Sequence, residues 1–559
     1  MDSFWTGTVA DVRGSWVRPA SVRGLFVVPL MVAIVLGVTS VGAAPVLAQG
    51  VPSAAAGPPG TGLAWGDNAE SQLGDGTTTN SSTPVTVDVP ADTTITAVAA
   101  GQGHSLAVTS AGTVLAWGAN SSGQLGDGTT TPRSTPVAVD LPAGTTITAV
   151  TAGDRHSLAV TSTGTVLAWG LNVTGQLYDG TTTNSSTPIV VDLPVGTTVT
   201  AVAAGNAHSL AVTSAGTVLA WGANSSGQLG DGTTTPSSTP VAVDLPVGTT
   251  VSTIAASSSH SLAVTSTGTM LAWGANFTGQ LGDGTITNRS TPVAVDLPAG
   301  TTVTAVATGS GHSLAVTSAG TMLAWGGNGS GQLGDGSTTS SSTPVAVDLP
   351  AGTTVTAVAG GAGHSLALTS TGTMLAWGFN TSGQLGDGTT SNRSIPIATD
   401  LPADTTITAI AGGSFHSLAI VPSTSTTTLQ VSPPNPTPDQ PVTLTATVTC
   451  TGSTPTGTMT YLEDTTILGT EPLSGNPTAT ATLTVTRLTP GTHHIQARYN
   501  GDNNCPTSTS DSTTVTVPKP TIPVTGTSLP TILAAGSLLT LTGMALTLAT
   551  HRRRPTHRA

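Results

Sequence analysis

Seven histidines recur at intervals of 52 residues along the chain, and histidine is a frequent metal ligand and acid–base catalyst. Because metal ligands must converge within bonding distance, one histidine in each of seven separate copies is a poor ligand set. We therefore expect structural histidines whose ring nitrogens bond nearby backbone, and no metal site. The positions are His104, His156, His208, His260, His312, His364 and His416.

An aspartate recurs with the same period, in a turn that reads Gly-Asp-Gly in every copy except one, which reads Tyr-Asp-Gly. Calcium prefers carboxylate oxygens, but an EF-hand-like loop needs further acidic ligands at fixed spacing, and none accompanies these aspartates. We expect each one to accept hydrogen bonds from the backbone of its own turn. The positions are Asp75, Asp127, Asp179, Asp231, Asp283, Asp335 and Asp387.

Asp67 and Glu70 come nearest to a catalytic pair of carboxylates, but they lie in a loop without a partnering base. No nucleophile elbow or phosphate-binding loop accompanies them. General acid–base catalysis needs positioned groups with tuned pKa values. The sequence therefore favours a protein that is not an enzyme and that has no catalytic residues and no cofactor.

The charge of the repeated region argues against nucleic acid as a partner. Between residues 61 and 421 the chain has 19 acidic residues and four basic ones, and none of the basic residues is lysine. Proteins bind phosphate backbones through basic patches that release counterions. An acidic, solvated surface that maintains solubility is the expected role of these charges.

Short β-strands are the elements that must position these residues. Each 52-residue copy holds four β-like runs separated by glycine-rich turns, and in the second copy these runs are TVLAWG, TPVAVDLP, TTITAVTAG and HSLAVTS. Four short strands per repeat match the blade of a β-propeller, whose repeats bury their faces only against one another. A tryptophan marks each copy, at Trp65, Trp117, Trp169, Trp221, Trp273, Trp325 and Trp377.

The stretch WGxNxxGQLGDG, followed later by HSLAVTS, resembles the regulator-of-chromosome-condensation repeat over about 360 residues. The resemblance implies an all-β, seven-bladed propeller over residues 61–422. Ser71, Tyr178 and Ser257 depart from the pattern, each in place of a glycine. The first copy begins with the LAWG run and the last ends with HSLAIV, so we expect these two strands to pair and close the ring, which removes exposed sheet edges.

After Val421 the 52-residue period stops, and residues 423–518 show a different pattern of strands and turns. The runs PVTLTATV, LTPGTHHIQARYNGD and TVTV resemble bacterial immunoglobulin-like domains of cell-surface proteins, which implies a β-sandwich that serves as a stalk. Two cysteines in one exported domain favour a disulfide between Cys450 and Cys505. His493 and His494 should point to opposite faces of a strand, which makes them poor joint ligands.

The N-terminal residues 1–48 have the pattern of a secretory signal peptide. Three arginines precede an apolar run from Leu25 to Ala44, and the small residues Val46 and Ala48 follow it. An uncleaved membrane anchor is the alternative. Residues 49–60 are expected to link this segment to the propeller.

The C-terminal residues 519–559 resemble a Gram-positive sortase sorting signal. Ile522, Pro523, Thr525 and Gly526 follow its Leu-Pro-any-Thr-Gly pattern except at Ile522, and an apolar span over 529–549 and a basic tail come next. The resemblance implies cleavage between Thr525 and Gly526 by sortase and attachment of Thr525 to peptidoglycan. A simple transmembrane anchor is the alternative, and both place the protein outside a Gram-positive cell.

Two loops differ among copies that are otherwise nearly identical: one follows the tryptophan and the other precedes the histidine. Hairpin pairing should bring both loops to one face of the propeller, opposite the uniform Ser-Ala-Gly and Ser-Thr-Gly turns. Exposed aromatic side chains flanked by polar ones are common binding anchors, although neutral drift in tolerant loops also produces such variation. The candidate partner-binding residues are Phe277, Phe379, Phe415, Leu171, Arg155, Asp67 and Glu70.

These features predict a secreted, surface-anchored binding protein, either an adhesin or a protein-interaction propeller on an immunoglobulin-like stalk. Its partner would be an unknown extracellular protein or surface ligand. The alternative is an inhibitor of a secreted hydrolase, because a propeller-type β-lactamase inhibitor is known in the family that the repeats resemble. A guanine-nucleotide-exchange role, by analogy with the founder of that family, fits less well with export and acidity.

The sorting signal predicts that Thr525→Ala abolishes wall attachment, because the substitution removes the residue whose carbonyl sortase would attack. Wild-type protein should leave the cell wall only after muralytic digestion, whereas the variant should appear in the medium or the membrane fraction. Cell fractionation and immunoblotting measure this. Release of the wild-type protein by detergent alone would show that no covalent wall linkage exists.

Overall fold

The computed structural model describes residues 54–55 and 59–521. The predicted signal peptide (1–48), the residues Ile522, Pro523, Thr525 and Gly526, and the apolar span 529–549 lie outside these ranges. Within the described ranges every regular element is a β-strand, which agrees with the predicted all-β class. No helix capable of crossing a membrane occurs in this part of the chain.

The repeated region contains the strands β1 (Ala54–Ala55), β2 (Gly60–Gly66), β3 (Ser81–Thr86), β4 (Ile95–Ala100), β5 (His104–Thr109), β6 (Val114–Gly118), β7 (Arg133–Ala138), β8 (Ile147–Ala152), β9 (His156–Thr161), β10 (Val166–Gly170), β11 (Ser185–Val190), β12 (Val199–Ala204), β13 (His208–Thr213), β14 (Val218–Gly222) and β15 (Ser237–Ala242). It continues with β16 (Val251–Ala256), β17 (His260–Thr265), β18 (Met270–Gly274), β19 (Arg289–Ala294), β20 (Val303–Thr308), β21 (His312–Thr317), β22 (Met322–Gly326), β23 (Ser341–Ala346), β24 (Val355–Gly360), β25 (His364–Thr369), β26 (Met374–Gly378), β27 (Arg393–Ala398), β28 (Ala409–Gly412) and β29 (His416–Pro422).

Four consecutive strands form one antiparallel sheet, or blade, as in the order β12-β13-β14-β15. The second and third strands are the histidine and tryptophan strands, and they pair as a hairpin in which His208 lies opposite Gly222. One blade is assembled from both ends of the repeated region, because β2 pairs with β29 from Gly60 opposite Pro422 to Gly66 opposite His416. The pairing of β2 with β29 therefore brings the first and last copies together.

The core lies between neighbouring blades. In one cluster, Leu106 and Val108 of one blade pack with Val150 and Trp169 of the next, and all four side chains are buried. The histidine strands are buried along their whole length, because each blade is covered on both faces. A strand buried on both faces reads as a continuous apolar run, which explains why HSLAVT and VLAWG lack the alternation of a half-exposed strand.

Residues after the repeats form a β-sandwich with the strands β30 (Ser425–Ser432), β31 (Val442–Cys450), β32 (Thr458–Glu463), β33 (Thr466–Pro472), β34 (Ala479–Val485), β35 (Gly491–Tyr499), β36 (Ser508–Thr509) and β37 (Thr513–Val517). One sheet has the order β30-β31-β34, and the other is built around β32 and β35. Tyr461 crosses the core, where its hydroxyl donates to the Ala481 carbonyl at 2.5 Å. The structure places a disulfide between Cys450 and Cys505, whose Cα atoms are 6.0 Å apart.

The two adjacent histidines of β35 face opposite sides of the strand, as predicted: His493 is buried and His494 is exposed. His493 Nδ1 lies 2.6 Å from Glu463 Oε1 and Nε2 lies 2.7 Å from the Thr489 carbonyl oxygen. Burial opposes its protonation, but these two acceptors outweigh burial and raise the pKa of His493. This side chain therefore bonds β32 to the loop that precedes β35.

Two glycines of the same turn predict different costs of substitution. Both Gly126 and Gly128 have positive φ, 69° and 76°. A Cβ added at Gly126 would lie 2.9 Å from the Trp169 ring, whereas one added at Gly128 would meet nothing within 4 Å. Gly128→Ala should therefore cost about 1 kcal/mol for its backbone conformation alone. Gly126→Ala should cost about 2–3 kcal/mol, because it also overpacks the core.

Denaturant unfolding of the two variants measures this difference. Equal destabilisation would contradict the account, because it would mean that the fit of Trp169 against the preceding turn contributes nothing to stability.

Candidate functional site

The loop between the third and fourth strands of each blade carries the contact that joins one copy to the next. The main-chain carbonyl of Gln72 accepts two hydrogen bonds from the following blade, from Trp117 Nε1 at 2.9 Å and from the Ser105 hydroxyl at 2.8 Å. All of these atoms are buried, so each bond satisfies a group that would otherwise destabilise the core. The loop therefore fixes the relative position of two neighbouring blades.

The same pair of bonds recurs throughout the repeats. The carbonyl of Gln384, in the last copy, accepts from Trp65 at 3.0 Å and from Ser417 at 2.8 Å, which are in the blade assembled from both ends. The remaining acceptor carbonyls, each with its tryptophan and serine, are Gln124 (Trp169, Ser157), Gln176 (Trp221, Ser209), Gln228 (Trp273, Ser261), Gln280 (Trp325, Ser313) and Gln332 (Trp377, Ser365).

The recurring histidines belong to this same contact, and the expectation that they bond backbone is wrong. His104 Nε2 lies 3.0 Å from the Ser157 hydroxyl of the next copy. Because that hydroxyl donates its only proton to the Gln124 carbonyl, the histidine must donate through Nε2–H. A serine follows each histidine in the sequence and could have indicated this contact. The histidine that bonds a given serine, however, lies 53 residues before it.

Each histidine is therefore held as the neutral Nε2–H tautomer. Its Nδ1 is buried and has no hydrogen-bond partner in any of the seven copies. Burial lowers the pKa of His104 to about 3 and that of His156 to about 4. Among the described residues, no three histidine, cysteine, aspartate or glutamate side chains meet in an arrangement that could hold a metal ion. The histidines act as structural donors.

The turn aspartates accept hydrogen bonds within their own loop, as predicted. Asp75 Oδ1 accepts from the Thr77 amide at 3.0 Å and from Asn68 Nδ2 at 3.1 Å. Asn68 Oδ1 in turn accepts from the Leu73 amide at 2.9 Å. Three of the aspartates also pair with arginine, as Asp127 does with Arg133 at 2.7 Å. These carboxylates are therefore committed to shaping the loop.

The two divergent loops emerge at one end of the blades. Because His416 pairs opposite Gly66, the residue before the histidine lies beside the residue after the glycine, and the Asp67 amide donates to the Phe415 carbonyl at 2.8 Å. The Leu171 amide likewise donates to the Arg155 carbonyl at 2.8 Å. We call the surface formed by the predicted residues Asp67, Glu70, Arg155, Leu171, Phe277, Phe379 and Phe415 the variable face.

The structure brings two of the three phenylalanines together across neighbouring blades. The ring centroids of Phe379 and Phe415 are 5.9 Å apart, with the rings inclined at 58°. Phe415 is 39% exposed, and Phe277, which stands apart from this pair, is 72% exposed. Thr278, next to Phe277, donates its hydroxyl to the Gly311 carbonyl at 2.9 Å and so ties this loop to the following blade. The variable face therefore presents aromatic groups on an ordered backbone.

The charged residues of the variable face are mostly solvent-exposed. Glu70 and Arg155 are exposed, and the Arg155 guanidinium donates to the Gln102 amide oxygen at 3.4 Å. The half-buried Asp67 carboxylate accepts from Gln72 Nε2 at 2.8 Å, so it also braces the loop that carries the Gln72 carbonyl. No base lies within hydrogen-bonding distance of Asp67 or Glu70 among the described contacts.

Sequence reasoning missed a cavity of about 80 Å³ at the centre of the repeats. It is lined by the ends of the innermost strands of all copies and by residues of the loops before the histidines, including Asp154, Asn206 and Ser310. Burial raises the pKa of Asp154, and the neighbouring Arg155 opposes this effect. The small residues that end most of the innermost strands were the available signal, but their convergence depends on how the blades are arranged in space.

Comparison with known families matches residues 61–419 to the RCC1-like domain and residues 427–518 to the bacterial Ig-like domain (group 3). The Arabidopsis thaliana ultraviolet-B receptor UVR8 is 33% identical over 324 residues, which cover 58% of this chain and 74% of the receptor. The human E3 ubiquitin-protein ligase HERC2 is 33% identical over 368 residues, which cover 65% of this chain but only 8% of the ligase.

Two solved structures have a similar fold. One, described as Kap60 bound to yeast RCC1 (Prp20), matches with a TM-score of 0.60 and 24% identity, over 66% of this chain and 90% of the matched chain. The other, human WBSCR16, matches with a TM-score of 0.59 and 24% identity, over 65% of this chain and 99% of the matched chain.

The neutral histidines predict that acid destabilises the protein well above the pH at which they themselves titrate in the folded state. Their folded pKa values of about 3 to 4 lie below the ordinary value of 6.5, so the unfolded chain binds more protons. The free energy of unfolding should therefore have its full value above pH 6.5 and should fall as the pH drops toward 4. Each histidine adds a slope of about 1.4 kcal/mol per pH unit once the unfolded chain is protonated.

Denaturant unfolding between pH 7 and pH 4.5 measures this slope. His208→Gln is the matched control, since its amide can still donate to Ser261 but does not titrate, and it should reduce the slope by one proton. A free energy of unfolding that stays constant over this range would contradict neutral buried histidines.

Proposed function

The chain belongs to the RCC1-like domain family, and on this basis we propose that it is a secreted, surface-anchored, non-enzymatic protein that binds its partner through the variable face. The partner would be an extracellular protein or surface ligand, and the immunoglobulin-like domain would serve as its stalk. The observation that carries this proposal is the concentration of sequence divergence in the two loops of the variable face, where Phe379 and Phe415 meet at 5.9 Å.

We also propose that the repeats form a closed ring of seven blades. The histidine–serine contacts support closure. His416 lies in the blade assembled from both ends, and its Nε2 lies 3.0 Å from the hydroxyl of Ser105 in the next blade. The pairing of β2 with β29 supports it in the same way. In a closed ring every blade is covered by a neighbour on both faces, and only short outer strand edges remain.

A binding role suits the chemistry of the variable face better than catalysis does. The recurring polar groups are engaged in loop and blade contacts, and Asp67 and Glu70 have no partnering base. What remains exposed is aromatic and charged surface, and residues of this kind dominate binding energies at protein interfaces. The similar structure described as Kap60 bound to yeast RCC1 is itself a protein complex.

The surface location follows from the sequence of the two ends. The pattern of residues 1–48 supports export, and the pattern of residues 519–559 supports attachment by sortase to peptidoglycan or retention by a membrane span. The acidic repeated region has no basic patch for nucleic acid. We therefore place the protein on the exterior of a Gram-positive cell.

Capture of the partner by photo-crosslinking from the variable face of the full chain would provide the ligand for a quantitative test. Phe277→Ala, Phe379→Ala and Phe415→Ala should each weaken binding by about 1–3 kcal/mol, because each removes an aromatic group from the variable face. Calorimetric titration with the captured partner measures the change in affinity. Their thermal unfolding should stay close to that of the wild type, because none of these three phenylalanines is among the buried core residues.

Thr163→Ala, in a uniform turn at the opposite end of the blades, is the control and should leave binding unchanged. Normal binding by all three phenylalanine variants would exclude the variable face as the site. A captured soluble hydrolase whose activity falls on binding would identify the protein as an inhibitor, and a cell-surface ligand would identify it as an adhesin.

A further inference from the structure

The connection from the last blade to the immunoglobulin-like domain is short. Strand β29 ends at Pro422 and β30 begins at Ser425, so two residues join the domains. The backbone amides of both residues are hydrogen-bonded. The Ser423 amide donates to the Pro59 carbonyl at 2.8 Å, and the Thr424 amide donates to the Thr451 hydroxyl at 2.8 Å. A connection this short and this well bonded limits the orientations that the second domain can adopt.

Beyond the connection, side chains of the first copy bond two loops of the immunoglobulin-like domain. Asn504 Oδ1 accepts from the Thr94 hydroxyl at 2.8 Å and from the Ser110 hydroxyl at 2.6 Å, and its Nδ2 donates to the Asp92 carbonyl at 3.2 Å. The Thr454 amide donates to the Asp92 carboxylate at 3.1 Å. The Asn504 side chain thus bonds the propeller surface through both its amide oxygen and its amide nitrogen.

Asp92 departs from the repeat in a way that suits this contact. The same register holds glycine in five copies (Gly144, Gly196, Gly248, Gly300 and Gly352), and all of them have positive φ. Asp92 keeps the left-handed conformation, with φ of 57°, although that conformation costs an L-residue about 1 kcal/mol relative to glycine. Its carboxylate gains the bond to Thr454, which glycine could not make.

The two loops that make the contact are tied to each other. The disulfide joins Cys450 at the end of β31 to Cys505, next to Asn504. The Asp502 carboxylate accepts from the amides of Asn504 and Thr456, both at 2.8 Å. Hydrogen bonds from Thr456 and these amides lower the pKa of Asp502 in spite of its burial. The two loops therefore meet the propeller as one preformed surface.

We infer that this surface (Thr454 and Asn504) docks on Asp92, Thr94 and Ser110 as a fixed joint between the domains. Ser110 lies in the turn that follows β5, at the end of the strand opposite His104. The joint is therefore at the end of the blade opposite the variable face. Its consequence is that the stalk holds the propeller at one angle and leaves the variable face uncovered.

Hydrogen exchange of the full chain tests the joint, with the substitution in one domain and the readout in the other. Asp92→Gly should speed exchange at the Thr454 amide roughly tenfold, since the amide loses its acceptor. Asp404→Gly is the matched control, because Asp404 occupies the same register in the last copy, has φ of 61°, and has no bond to Thr454 or Asn504 among the described contacts. It should leave Thr454 exchange unchanged.

Spin labels at two exposed positions, Ser121→Cys and Thr466→Cys, report the angle between the domains. The distance distribution should be narrow in the otherwise wild-type chain and should broaden in Asn504→Ala, which removes three bonds without touching the disulfide. A broad distance distribution in the chain that keeps Asn504 would contradict the fixed joint. So would an exchange rate of the Thr454 amide that Asp92→Gly leaves unchanged. Normal thermal unfolding of each variant shows that the domains themselves remain folded.

Discussion

Much of the propeller depends on one main-chain carbonyl in each copy, the carbonyl of the glutamine in GQLGDG. It accepts from the tryptophan indole and the serine hydroxyl of the next blade, and the serine in turn accepts from the histidine of the blade that carries the glutamine. Two neighbouring blades therefore meet at each such site. No copy can satisfy these buried groups by itself, which is why the stretch has to be repeated.

This constraint separates the residues that shape the frame from those that are free to vary. The tryptophan, serine and histidine side chains are buried and bond across neighbouring blades, so truncating any of them removes a buried hydrogen bond. The loops after the tryptophan strand and before the histidine pair through backbone bonds that do not depend on side-chain type, as when the Asp67 amide donates to the Phe415 carbonyl. Some of their side chains also form bonds, as the Asp67 carboxylate does with Gln72. Divergence is concentrated on the variable face, which is where we propose that recognition takes place.

The strands and their order could be predicted from the sequence because period, turn glycines and apolar runs are local signals. The contacts between copies could not, because the partners of His104 and Trp117 are set by how blades stack: Ser157 lies 53 residues away and Gln72 lies 45. The central cavity and the Asp92–Thr454 hydrogen bond could not be predicted for the same reason. Asp92 and Thr454 lie 362 positions apart in the sequence. The candidate residues were found by comparing copies, and the meeting of Phe379 and Phe415 required the structure.

The central claim is that the frame supports folding and that the variable face supports recognition. A chain in which the divergent residues are replaced by those of the blade β4-β5-β6-β7 tests it directly, through Leu171→Ala, Phe277→Ser, Phe379→Ala and Phe415→Gly combined. Binding to the captured partner and thermal unfolding would be measured together. We expect the unfolding midpoint of the wild type and no detectable binding. Full binding by this chain, or loss of its cooperative unfolding, would contradict the separation of frame from recognition surface.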